Sequence, residues 1–105
     1  MNPEEFVKNV FKEKEDLVRT YSASNGQTHV NKLIESLDLT AKQKEILIEA
    51  IDGVLTDGFY TLLLGLDGVA SIGEKQEMYK LTDEQGNELT GGEIEAFAWE
   101  YFHNK

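Results

Sequence analysis

Apolar positions in residues 3–22 fall at helical spacing. Phe6, Val7, Val10, Phe11, Leu17, Val18 and Tyr21 make one stripe, as an amphipathic helix requires. Asn2-Pro3-Glu4-Glu5 precedes it. Asn suits the N-cap, Pro the first helical position, and two acids favour the positive end of the helix dipole. Lys14 interrupts the stripe, and its aliphatic stem is expected along the core edge. Ser22–Gln27 is loop chemistry with a turn at Asn25-Gly26. Thr28 can cap a short second helix bearing Val30, Leu33, Ile34 and Leu37. Thr40 and Gln43 have capping-box spacing for a third, running from Ala41 to about Leu64. Its apolar residues (Ile46, Leu47, Ile48, Ala50, Ile51, Val54, Leu55, Phe59, Leu62, Leu63, Leu64) cover more than half the circumference at ~100° per residue. That breadth predicts a central helix, with Gly53 and Gly58 as close-packing points or a kink and Gly65 as its left-handed C-cap.

The period changes after Gly68. Met78–Thr82 alternates like a strand, Asp83–Asn87 has turn chemistry, and Glu88–Thr90 reads as a return strand. Segment 69–77 is harder to assign, and Val69–Ile72 is a candidate third strand. Thr90 and Glu93 have capping-box spacing for a last helix bearing Ile94, Phe97, Ala98, Tyr101 and Phe102. The expected fold is therefore α+β and mainly helical: three N-terminal helices with the third long and central, a β-hairpin, and a C-terminal helix. Ile51, Leu55, Phe59, Leu62, Phe97 and Phe102 are its expected common core. A length of 105 residues suits a single domain over residues 1–105.

Charge narrows the class of partner. Ten Lys plus Arg against twenty Asp plus Glu give −10. The excess is concentrated: residues 1–49 hold nine acids and seven bases, and residues 50–105 hold eleven acids and three bases. Such a surface disfavours phosphate backbones and anionic membranes and attracts basic proteins. No apolar run reaches the ~20 residues of a membrane span. Residues 1–20 carry charge throughout, unlike a secretory signal. There is no Cys and there are only two His, which points to a cytoplasmic protein without thiolate chemistry, cofactor or metal.

Candidate chemistry is sparse. Glu45, Glu49 and Asp52 share one helical face, most simply a solvated one. Asp57 falls nearer the apolar sector and is expected to be partly buried, which would demand a hydrogen-bonding partner. His29 and His103 have no Ser at telling spacing, and Gly65–Gly68 lacks the Lys of a phosphate loop. On the last helix, with Ile94 at zero, Phe97, Ala98, Tyr101 and Phe102 lie within about 80° whereas Trp99 lies at roughly 140°. Trp99 is therefore off the buried stripe. It is either an anchor for a partner, among Glu93, Glu95 and Glu100, or a cover for neighbouring chain.

The block Thr56-Asp57-Gly58-Phe59-Tyr60-Thr61-Leu62-Leu63-Leu64-Gly65-Leu66-Asp67-Gly68-Val69-Ala70-Ser71-Ile72-Gly73, with the hairpin and Tyr101-Phe102-His103, resembles small acidic bacterial proteins. Some of these are similar to immunity proteins, which neutralise a toxin domain. The resemblance spans residues 56–103 and assigns no site residue. It implies a non-enzymatic protein-binding module, an immunity-type inhibitor of a basic toxin domain; the acidic C-terminal half and the position of Trp99 on its helix, not the resemblance, make Glu93, Glu95, Trp99 and Glu100 the candidate partner-binding residues. Two alternatives stand beside it. One is a small enzyme or ligand-binding protein with a pocket holding Asp57, Asp67 or Tyr60. The other is a nucleic-acid mimic, whose carboxylates should stand on a surface with little exposed apolar area.

Overall fold

The computed structural model describes residues 1–104 and contains four helices: α1 (Pro3–Ser22), α2 (His29–Ser36), α3 (Ala41–Leu66) and α4 (Glu93–Phe102). Three begin as their sequences dictate. The Asn2 side chain accepts from Glu5 N–H at 2.8 Å. Thr28 with Asn31, and Thr40 with Gln43, form complete capping boxes.

The core joins α1, α4 and the C-terminal half of α3. Val7, Leu63, Ile94, Ala98 and Phe102 are buried together, with Phe6, Val10, Phe11, Phe59, Tyr60, Phe97 and Tyr101 packed around them. Phe102 meets Phe11 edge to face at 5.2 Å, a favourable aromatic geometry. Tyr101 Oη donates to Glu4 Oε2 at 2.9 Å and ties α4 to α1. The expected core is thus only partly correct. Phe102 is buried and Phe59 and Phe97 pack against the cluster, but Ile51 and Leu55 are half-buried outside it and Leu62 is exposed. Flanking helices cover one side of α3, whereas its apolar residues extend round both.

Gly53 and Gly58 correct another expectation: a Cβ at either would meet nothing within 4 Å. They lie on an open helix face, and α3 runs unbroken past both. Gly65 is not the C-cap either. It sits inside the helix, where a Cβ would run into the Ile72 side chain. The left-handed position is Gly68, with φ 78°.

The α+β assignment is overturned among the described residues. The turn at 83–87 forms, and Leu89 N–H donates to Leu81 O at 2.8 Å. The pairing nevertheless stops at one isolated bridge, Thr82 with Glu88. Leu81 N–H donates to the Thr90 hydroxyl at 3.1 Å, so a side chain takes the donor a ladder would use. Met78 is 78% exposed, and nothing pins the outer residues of the first flank to a second one; such a ribbon is marginal alone. Segment 69–77 adds no third strand, only a tight turn with a bridge from Ile72 to Lys75. The protein is all-helical, with an ordered non-helical crossing between α3 and α4.

The molecule measures 47 × 29 × 26 Å with a radius of gyration of 16.3 Å, against about 13 Å for a globular chain of this length. The elongation comes from α3, whose N-terminal half extends beyond the core beside the end of α1 and α2. No helix among the described residues is long and apolar enough to cross a membrane.

Candidate functional site

The start of α4 is held by the acid at the C-cap of α3. Gly92 precedes α4 at φ 115° and offers no side-chain cap, so the expected Thr90–Glu93 capping box is absent. The Thr90 hydroxyl is engaged by Leu81. Asp67 takes over from across the chain. Its Oδ1 accepts from Gly91 N–H (3.0 Å) and Gly92 N–H (2.8 Å), and its Oδ2 accepts from Glu95 N–H (3.0 Å). Asp67 is only 3% exposed. A carboxylate at a helix N-terminus satisfies orphan donors and complements the dipole. Gly91 and Gly92, at φ 129° and 115°, give the chain the turn that aims two successive N–H groups at one oxygen.

Helix α4 then carries the predicted partner-binding residues outward. Glu93, Glu95, Trp99 and Glu100 are all exposed, Trp99 by 52%. Glu95 lies one turn before Trp99, and Glu100 about 100° round the helix from it. The Trp99 ring lies against His103 with centroids 5.5 Å apart, and His103 meets Tyr60 edge to face at 4.4 Å. Trp99 is thus braced through His103 to α3 while about half its surface faces solvent.

The other candidate carboxylates have different surroundings. Asp57 is exposed rather than partly buried and lines a shallow groove with Gly58, Thr61, Leu62, Ser71, Ile72 and Gly73. Asp67 is absent from that lining, so the two acids do not converge on one pocket. Asp52 leaves the solvated ridge of Glu45 and Glu49: its Oδ1 accepts from Lys14 Nζ at 2.8 Å. Lys14 is 4% exposed, also donates to Glu15 at 3.2 Å, and lies over the Phe11 ring. This pair escaped the sequence reading, although the break in the α1 stripe was its signal. Asp83 anchors its own turn, accepting from Gln85 N–H, Asn87 N–H and Asn87 Nδ2. The Asn87 side chain first, and the Met1 ammonium next, hold its carboxyl well below the usual carboxylate range. Among the described residues no group of three His, Asp or Glu could hold a metal ion.

Comparison with known proteins adds no relative: no family model matches the chain, and neither a curated protein nor a solved structure does. The residues themselves carry the functional argument.

Proposed function

We propose that this protein is a non-enzymatic protein-binding module for a basic partner, and that it serves in the cytoplasm as an immunity-type inhibitor of a basic toxin domain. The observation that carries this is Trp99, half exposed, braced by His103 and set among Glu93, Glu95 and Glu100. A rigid indole supplies contact area at low entropic cost, and hot spots are rich in Trp. Surrounding carboxylates steer a cationic partner to it. The pocket alternative loses support because Asp67 is committed to backbone donors and Asp57 stands in the open. The nucleic-acid mimic is disfavoured by ten exposed large hydrophobic residues, an apolar area such a surface would lack.

The test is co-expression in bacteria with a basic toxin domain encoded beside this gene. Growth should be restored and the two proteins should co-elute, more tightly at low salt. Trp99→Ala should speed dissociation by about 30-fold, the equivalent of ~2 kcal/mol. Replacing Glu93, Glu95 and Glu100 by Gln should slow association and flatten its salt dependence. A cognate partner that binds both variants like wild type would show that α4 is not the docking surface.

A further inference from the structure

The pair Asn25-Gly26 occurs once in the chain, in the segment 23–28 that joins α1 to α2. Its glycine is not there for its backbone conformation, since neither residue has a positive φ. The reason is packing: a Cβ at Gly26 would run into the Asn31 side chain. Asn31 is 5% exposed and ties α2 to α1, donating from Nδ2 to Thr20 O at 3.0 Å and to Tyr21 O at 3.3 Å. The missing side chain permits that close approach. It also leaves the Gly26 nitrogen unshielded beside the carboxamide of Asn25.

Asn25 itself is exposed. Among the described residues nothing hydrogen-bonds its carboxamide or the Gly26 N–H; its backbone carbonyl alone is engaged, by Gln27 Nε2 at 3.1 Å. The other asparagines are placed differently. Asn9 and Asn31 lie inside helices, where the ladder holds the backbone nitrogens. Asn2 precedes Pro3, which has no N–H to react. Asn87 and Asn104 precede residues with side chains, and Asn87 Nδ2 donates to Asp83 Oδ2 at 3.0 Å.

We propose that Asn25 is a self-modification site whose product releases α2. Base takes the Gly26 N–H proton, and the nitrogen bonds to Asn25 Cγ. The Cγ–Nδ2 bond breaks, and ammonia leaves with a proton. Water then adds across a C–N bond of the succinimide ring. Opening at Cγ gives an aspartyl residue at position 25. Opening at the main-chain carbonyl gives an isoaspartyl residue, whose backbone runs through Cβ and Cγ and is longer by a methylene. The net change is water consumed and ammonia released, with a new carboxylate in place of a neutral amide. Gly26 and Asn31 are already in contact, so the added methylene pushes Gly26 off its seat and Asn31 away from Thr20 and Tyr21. A helix of 8 residues does not hold alone in water. It therefore detaches, while the core of α1, α3 and α4 stays. Nothing in this step involves Trp99, so its failure would leave the proposal for α4 standing.

The experiment is incubation of the full chain in mildly alkaline native buffer, followed over days by peptide mass mapping and NMR. The mass gain of an NH2-to-OH exchange is expected at Asn25, with matching release of ammonia and both aspartyl and isoaspartyl products, while Asn87 keeps its amide. In the isoaspartyl fraction the side-chain amide signals of Asn31 should move to the free-amide position, with the backbone signals of α4 unchanged. Asn25→Asp adds the charge without the methylene and should keep the Asn31 signals of fresh protein. Asn25→Gln, whose longer side chain needs a larger ring, should keep both its amide and α2. An intact amide at Asn25, equal reaction at Asn87, isoaspartyl chains with unmoved Asn31 signals, or Asn25→Gln chains that lose α2 at the same rate would each overturn the inference.

Discussion

Asp67 is the residue on which the α3–α4 arrangement turns. Asp67→Ala leaves three backbone donors without an acceptor, and we expect a loss of about 2–3 kcal/mol in urea unfolding, given ~1–3 kcal/mol for stranding buried donors. Asp67→Asn, which keeps one oxygen, should lose less. Lys14 presents the opposite balance. Its partner Asp52 keeps a 45% exposed side chain and can return to water. Lys14→Met should therefore change stability by less than about 1 kcal/mol. Asp52→Ala takes the nearer carboxylate from a buried ammonium and should cost more, about 1–2 kcal/mol by the same reasoning. Tyr101 gives a pH signature. The hydrogen bond to Glu4 raises the phenol above its ordinary value of 10.0. A raised folded value means that this contact contributes fully below pH 10 and is lost as pH climbs through the folded value. Ring NMR signals of Tyr101 should titrate above 10, and Glu4→Ala should bring that titration down.

At the scale of elements, α2 depends on one side chain. Asn31 Nδ2 donates to Thr20 O at 3.0 Å and Tyr21 O at 3.3 Å, while Asn31 also completes the capping box of Thr28. Gly26 makes room for it, since a Cβ there would run into the Asn31 side chain. Asn31→Ala should abolish hydrogen-exchange protection in α2 while leaving α4 protected, because α4 belongs to the main core and α2 does not. Equal loss in both helices would mean that α2 unfolds only with the whole molecule. The 78–90 segment shows why alternation alone did not make strands: its turn closes, but the flanks find no sheet to extend.

For the whole molecule, the position of the core is the quantity to test. Leu63→Ala removes a side chain 2% exposed at the junction of three helices and should cost about 2–5 kcal/mol. Leu62→Ala, one residue away and half exposed, should stay within about 1 kcal/mol. Denaturant midpoints of the two variants separate these outcomes.

The local features are legible in short stretches of the chain. Caps at Asn2, Thr28 and Thr40, the four helices and the outward face of Trp99 follow from interactions within a few residues, which periodicity and capping chemistry encode. Glu93, Glu95 and Glu100 are exposed for the same reason: they lie off the stripe of Ile94, Ala98 and Phe102. Which side of α3 would be covered was decided only in three dimensions. An all-round apolar helix carries no mark of where its neighbours stop, so Leu62 and Leu63 look alike until α1 and α4 are docked. The partners of Asp67 and Lys14 were hidden because they lie 24–28 and 38 residues away, beyond the reach of any local pattern. The hairpin failed for the same reason. A ladder needs a neighbouring strand to extend it, and here the Thr90 hydroxyl takes the Leu81 donor instead.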